Sequence, residues 1–324
     1  MIQIKKHVFH LAFLLLMIIC LNFIGCKDGS IVEIPTVDDD KYPFRYDINA
    51  SWSSGHDLIV YYNGSHSNGH HTVTDSTFGI YIKDLQTDST SICSIDLMMG
   101  GGGLSLSPDN QWFIFEAVYN IYKLPFEIPF DMSKIELIGS DTGPNLFPKW
   151  SRNGDLIAVD IRLGDPGIYI MEEDGSDKHK VGPWGGRYPY FSQDNEYIYC
   201  SGYPGYGENW EIFKINYSEN TYSQITFFNE FDHINYVLPS YDENILIFSA
   251  RHIDDWGTYI YRYDVSADEL TRLIDKYAEA WDWNYEDDTI LYTYCPSVEQ
   301  GNINGFLWTM KPDGSEKQQI TFIE

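Results

Sequence analysis

The sequence predicts an all-β fold, a six-bladed β-propeller of four-stranded antiparallel blades. Three observations lead there. A short polar turn followed by an apolar run recurs six times, with its Ser-or-Tyr anchor at positions 53, 107, 151, 192, 241 and 285. Each copy continues into a second β-rich run, a turn and a short final strand. No segment carries a sustained helical period. A repeat in the forties with four strands per unit is the signature of propeller blades.

The copies run in order along the chain. Trp52-Ser53-Ser54-Gly55-His56-Asp57 leads into Leu58–Tyr62, and Phe78–Ile82 follows. Leu106-Ser107-Pro108-Asp109-Asn110 leads into Trp112–Phe115, then Ile121–Leu124. Trp150-Ser151-Arg152-Asn153-Gly154-Asp155 leads into Leu156–Val159, then Ile168–Met171. Phe191-Ser192-Gln193-Asp194-Asn195 leads into Tyr197–Cys200, then Glu211–Ile215. Blades five and six are fainter. Ser240-Tyr241-Asp242-Glu243-Asn244 precedes Ile245–Phe248, and Asn284-Tyr285-Glu286-Asp287-Asp288 precedes Thr289–Tyr294. Their second runs are Tyr259–Tyr263 and Phe306–Met310. Asp174-Gly175-Ser176 and Asp313-Gly314-Ser315 are hairpin turns, because Asp-Gly supplies the positive φ that a tight turn requires.

Composition agrees. The 324 residues are 43% hydrophobic and 16% aromatic, with 25 Tyr, 18 Phe and 9 Trp, which excludes a disordered chain. Aromatic and β-branched residues suit the half-buried faces of stacked blades. There are 21 Lys and Arg against 48 Asp and Glu, a net charge of −27. That acidity excludes a nucleic-acid partner, since phosphate contacts need Lys and Arg.

Ahead of the repeats lies an address. Lys5 and Lys6 precede the eleven-residue apolar run Leu11–Leu21, too short to span a bilayer and right for a secretory signal. The run ends in Phe23-Ile24-Gly25-Cys26, which resembles the bacterial lipobox. That resemblance implies a signal peptide over 1–25 and a membrane anchor through lipidated Cys26. Residues 26–46 then form a polar tether, and 47–324 the propeller. The remaining cysteines, Cys93, Cys200 and Cys295, each sit in a strand-like run and are expected as small buried hydrophobes.

The best-kept copies resemble the TolB-like, WD40-like propellers. The residues that carry this are Pro148-Lys149-Trp150-Ser151-Arg152-Asn153-Gly154-Asp155, Ile168-Tyr169-Ile170-Met171 and Met310-Lys311-Pro312-Asp313-Gly314-Ser315. The TolB family has an α/β domain ahead of its propeller. Residues 27–46 are too short for one, so the resemblance is to the propeller alone.

Loops sort by face. The loop between second and third strands shares a face with the blade-to-blade link. That face takes the long, aromatic segments and is the expected binding surface. Its candidates are Trp184, Arg187, Tyr206, Trp210, His233, Arg251, His252, Trp256, Trp281 and Asp282. The expected partner is another envelope protein or a glycan, and the expected role is non-catalytic binding. The alternative is a glycan binder or a metal-dependent lyase-like enzyme, because Trp and Tyr faces stack on sugar rings. No cofactor is implied. His66, His70 and His71 are the metal-candidate spacing, and His233 with His252 a second pair. A nucleophile elbow is missing: Gly103-Leu104-Ser105-Leu106-Ser107 lacks its closing glycine. Gly100–Gly103 is not followed by a helix or a lysine, so it is not a phosphate loop.

Overall fold

The computed structural model describes residues 44–66, 76–93, 103–140, 143–205, 209–255, 257–275, 277–296 and 304–322, with side chains described except at 44–46, 64–66 and 76–78. The expected signal peptide, Cys26 and the tether up to residue 43 lie outside the described residues, as do His70 and His71 and the side chain of His66.

Six antiparallel sheets follow in chain order, each a four-strand meander. Blade one comprises β1 (Phe44–Trp52), β2 (Leu58–His66), β3 (Ser76–Asp84) and β4 (Thr90–Cys93). Blade two is β5 (Leu104–Leu106), β6 (Trp112–Ala117), β7 (Asn120–Pro125) and β8 (Glu136–Gly139). Blade three is β9 (Asn145–Trp150), β10 (Leu156–Ile161), β11 (Gly167–Glu172) and β12 (His179–Trp184). Blade four is β13 (Arg187–Phe191), β14 (Tyr197–Gly202), β15 (Glu211–Asn216) and β16 (Thr221–Gln224). Blade five is β17 (Phe231–Pro239), β18 (Ile245–His252), β19 (Thr258–Asp264) and β20 (Glu269–Ile274). Blade six is β21 (Ala278–Asn284), β22 (Thr289–Tyr294), β23 (Phe306–Met310) and β24 (Gln318–Gln319). The first strand of every blade packs on the first strands of both neighbours, so six inner strands ring an axis. The six-bladed architecture is as the sequence predicts.

The repeated turn has one physical job. Ser53, Ser107, Ser151, Ser192 and Ser240 each accept, through Oγ, the backbone N–H five residues on, at 2.9–3.1 Å. The same serine N–H donates to the carbonyl of that residue. One hydroxyl thereby closes the hairpin between the first two strands. The residue three beyond each serine has positive φ: His56, Asn110, Gly154, Asn195 and Glu243. In blade six Asn284 replaces the serine, its Oδ1 accepting from Glu286 N at 2.9 Å. The anchors of blades five and six are thus Ser240 and Asn284, one residue before Tyr241 and Tyr285. The tyrosines stand out by eye, but the hydrogen bond selects the small polar residue ahead of them.

The core is divided between the blades. Val60, Ile80, Phe113 and Phe115 fill the seam of blades one and two, and Ile247, Ile260, Ile290 and Tyr292 that of five and six. Cys93, Cys200 and Cys295 are buried, as expected; burial pushes the Cys93 thiol up to about 12.

Blades one and six meet at Asp47, which is fully buried. Its N–H donates to Gly305 O at 3.0 Å, and its carboxylate accepts from Thr321 Oγ1 at 2.5 Å and Asn63 Nδ2 at 2.5 Å. Thr293 of β22 donates its hydroxyl to the Asp47 carbonyl. Among the described residues, no strand crosses between first and last blade; residues 44–48 belong to the inner strand of blade one, and side chains and one backbone bond fasten the seam.

Candidate functional site

The axis is closed at mid-depth. Besides β21, whose register shifts between Ala280 and Asp282, four inner strands break register near their middles, between Ile48 and Ser51 in β1, opposite Ala158 and Asp160 in β9, between Arg187 and Tyr190 in β13 and between Asn235 and Val237 in β17. The extra residues are Asn49, Phe147, Tyr188 and Tyr236, all at φ between 43° and 54°. Positive φ is costly for an aromatic residue, on the order of 1–3 kcal/mol, and persists only where packing compensates. Here the bulges bring the rings together. Phe147 and Tyr188 lie 4.5 Å apart, Tyr188 and Tyr236 4.9 Å, and Tyr236 and Trp281 4.7 Å, centroid to centroid. Tyr236 donates its hydroxyl to Asn49 Oδ1 at 2.7 Å. Blade two supplies Gly103, at φ +103°, where a Cβ would come within 2.9 Å of Phe147 Cα.

The plug leaves two mouths. The one formed by the long loops is where most of the expected site residues gather. Trp184, 52% exposed at the end of β12, meets Tyr203 edge-on at 5.7 Å. Tyr203 meets Trp210 at 5.7 Å, and Trp210 meets His233 at 4.4 Å. His233 Nε2 lies 3.2 Å from the Tyr188 hydroxyl. Five rings therefore run unbroken from the rim to the plug. Arg187 lies over Trp210 at 5.4 Å, and Arg162 over Phe147 at 5.1 Å.

Burial, and then Arg251, Arg187 and Arg162, push the pKa of His233 down to about 3. Arg251 pairs instead with Asp232 at 2.8 Å, while the His252 ring packs on Phe231 at 6.4 Å. The expected pairing of His233 with His252 does not form, because neighbouring strands hold Arg251 opposite His233 and Phe231 opposite His252. Among the described residues no three His, Cys, Asp or Glu side chains converge on a point. Tyr206 and Trp256 lie outside the described residues.

Two expected surface residues sit elsewhere. Trp281 and Asp282 belong to strand β21 and not to a loop. Trp281 is 3% exposed, within the plug, and its Nε1 donates to Thr293 Oγ1 at 2.6 Å. Asp282 is buried beyond the plug, toward the opposite mouth. A run of exposed-type aromatics reads the same whether it caps a channel or fills it; only the bulged inner strands separate the two.

Glu279 of β21 also lies near the long-loop mouth, accepting from Asn235 Nδ2 at 3.2 Å. Burial raises its pKa to about 7 from 4.5, with Asn235 opposing. A raised carboxyl pKa favours the folded state at low pH. The stability is fully present below about 4.5 and is lost as pH rises to about 7. Glu279→Gln should remove that slope and gain about 2 kcal/mol at pH 8, read from urea unfolding of variant and wild type at pH 5 and pH 8. Equal gains at both pH values would count against it.

The opposite mouth, formed by the serine hairpins, was not expected to carry a site. It holds a cavity of about 210 Å³ lined by Trp52, Lys149, Trp150, Arg152, Tyr190 and Asp282, among others. Asp282 accepts from Tyr190 OH at 2.5 Å, Ser51 Oγ at 3.2 Å and the backbone N–H groups of Trp52 and Trp283 at 3.0 Å. Arg152 donates Nη2 to Tyr190 OH at 2.6 Å and lies 5.0 Å from the rings of both Tyr190 and Tyr285. Lys149 is 9% exposed, its ammonium 3.4 Å from Trp281 O. The sequence displayed Lys149, Trp150 and Arg152 only as part of a repeat signature; the break from the other copies, two cations flanking Trp-Ser, was the available signal.

A ring of six antiparallel blades with a plugged axis and two unlike mouths defines the class: a β-propeller. In fold it is a TolB-like six-bladed propeller. It is similar to TolB from Acinetobacter baumannii, with a TM-score of 0.57 and 16% identity over 71% of this chain and 55% of that one. The chain thus spans about half the length of that protein. It is similar to a TolB candidate from Agrobacterium tumefaciens, with a TM-score of 0.60 and 14% identity over 75% and 88%. It is also similar to an oligogalacturonate lyase from Vibrio parahaemolyticus, with a TM-score of 0.52 and 12% identity over 82% and 90%. At these identities the likeness is one of fold. No protein-family model and no curated protein matches the chain. Among the described residues no helix is long and apolar enough to cross a membrane.

Proposed function

We infer that the chain is a non-catalytic binding propeller of the bacterial cell envelope. It is anchored through lipidated Cys26 and recognises another envelope protein with its long-loop face. One observation carries the recognition surface: the continuous aromatic ledge from exposed Trp184 through Tyr203 and Trp210 to His233, flanked by Arg187. Trp, Tyr and Arg dominate binding hot spots, and a rigid plug beneath them limits the ordering cost of association. The anchor rests on the signal-like run and Gly25-Cys26. The likeness to TolB supports a binding propeller. The likeness to an oligogalacturonate lyase motivates a glycan-directed alternative, which the pairing of Arg251 with Asp232 and the packing of His252 on Phe231 disfavour.

The test is a photo-crosslinking residue at position 184, with one at exposed position 241 as a control, in cells making the full chain. Position 184 should capture one discrete protein that position 241 does not. Against that purified protein, Trp184→Ala should weaken binding about 30-fold, the equivalent of about 2 kcal/mol. Cys26→Ser should move the chain out of the membrane fraction. Identical captures at both positions, or saturable binding of an acidic oligosaccharide lost in Trp184→Ala, would overturn the protein-partner reading.

A further inference from the structure

Not all of the strained residues lie in the plug. Val118 and Tyr119 form the two-residue turn between β6 and β7, on the long-loop face, at φ 52° and 65°. A hairpin turn with positive φ at both positions ordinarily takes Asn-Gly. Among the described residues Val118 is the only β-branched side chain at positive φ, where such a residue is a genuine outlier. In the plug, Phe147, Tyr188 and Tyr236 offset this cost by packing on one another. Val118 and Tyr119 are 48% and 52% exposed, so packing within the chain offsets much less. Backbone bonds nevertheless hold the turn in place. The buried Glu116 carboxylate accepts from Tyr119 N at 2.6 Å, and Tyr119 O accepts from Asn145 N at 3.0 Å. The fold thus presents two apolar side chains to solvent in a conformation that lowers its own stability, and strain of that kind collects at functional positions.

The turn is continuous with the rim of the aromatic ledge. Asn145, bonded to Tyr119, is two residues from Gly143, and a Cβ on Gly143 would come within 3.0 Å of Leu163 Cβ. Leu163 is 58% exposed. Pro166 O, in the same loop as Leu163, accepts from Gly185 N at 3.0 Å, beside Trp184. Residues 117–120, 143–145, 162–167 and 184–187 therefore form one arc. It holds one acidic residue, Asp165, which pairs with Lys180 at 2.5 Å, and two arginines, Arg162 and Arg187. In a chain with 48 acidic residues that is a local depletion of charge, the pattern of a protein–protein interface core. A protein fits the arc better than other occupants do. Val118 and Leu163 offer no flat face to stack on a sugar ring, and a net charge of −27 repels an anionic lipid surface.

We propose that the Val118–Tyr119 turn, with Leu163, is a second contact site for the protein bound at the aromatic ledge, and that it takes an apolar patch of that protein. This rests on the partner reading of the ledge, and extends the docking surface from blades three to five back to blade two. The strained turn holds Tyr119 fixed before the partner arrives, which limits the ordering cost of binding.

The test places an aromatic photo-crosslinking residue at position 119, beside the one at 184, in cells making the full chain. Both positions should capture the same protein. Against that purified protein, the full chain carrying Val118→Asn and Tyr119→Gly should bind about tenfold more weakly. The same variant should melt about 3 °C higher, because the turn is relieved. Leu163→Gln leaves the turn intact and should weaken binding about fivefold, which gives a reading if the turn variant fails to fold. Capture at 184 with nothing, lipid alone or a different protein at 119 overturns the second contact and leaves the ledge reading standing. No discrete capture at 184 removes the ledge reading and this inference with it. An unchanged Kd in either variant, or a lower melting temperature in the Asn-Gly variant, overturns the contact as well.

Discussion

Asp282→Ala should lower the unfolding free energy by about 3–5 kcal/mol, the cost of removing one member of a buried charge set while its partners stay. The carboxylate is 6% exposed and joins three blades. It accepts from Ser51 and Trp52 of blade one, Tyr190 of blade four and Trp283 of blade six. Without it Lys149 and Arg152 face each other across the cavity with no counter-charge. Burial lowers the pKa of Lys149, and Arg152 adds to that while Asp282 opposes it. The pH dependence is distinctive. Burial alone would raise the Asp282 pKa, but Lys149, Arg152 and the hydrogen bonds outweigh it and hold it below the ordinary value of 3.8. A depressed carboxyl pKa gives stability that is present above about pH 4 and lost as pH falls through the native value. Asp282→Asn, which keeps an acceptor, should therefore lose less than Asp282→Ala at pH 7 and show a shallower acid limb. Urea unfolding from pH 7 to pH 3 reads both. An Asp282→Asn curve parallel to wild type would show that the carboxylate charge contributes nothing.

Asp47→Ala should cost about 3 kcal/mol and should open the ring at one place. At the seam of blades one and six its carboxylate accepts from Thr321 across the boundary and from Asn63 within blade one. Alanine strands two buried donors, each at about 1–3 kcal/mol. The backbone bond to Gly305 and the bond from Thr293 to the Asp47 carbonyl remain. Unfolding is thus expected to begin locally, with amides of β1 and β23 losing hydrogen-exchange protection before those of β10 or β14. Asp47→Asn retains one acceptor and should lie between. Uniform loss of protection in all six blades would show that the seam is no weaker than any other blade interface.

The fold was legible because it repeats. Five serines at one hairpin position, each followed by an apolar run, give the same local answer five times, and the sixth blade follows with Asn284 in the serine's place. Side-chain alternation and turn chemistry are local, and local physics is what a sequence displays. The long-loop face was legible for the same reason: a meander of four strands dictates which loops share an end. That rule puts Trp184, Arg187, Trp210 and His233 on one face, and the structure brings them together in one ledge.

Depth was not legible. Trp281 and Asp282 are adjacent in the chain, yet one fills the plug and the other serves the far mouth. The difference arises where the register of β21 shifts between Ala280 and Asp282, a property of its pairing with β22. The hairpin-mouth cavity was hidden for a related reason. Its members come from residues near 52, 150, 190 and 282, brought together only when the ring closes. The sequence by itself determined the blades, their order and the face to which each loop belongs, because those follow from contacts a few residues apart. Tertiary structure alone decided which side chains meet on the axis, because that depends on six strands far apart in the chain converging on one line.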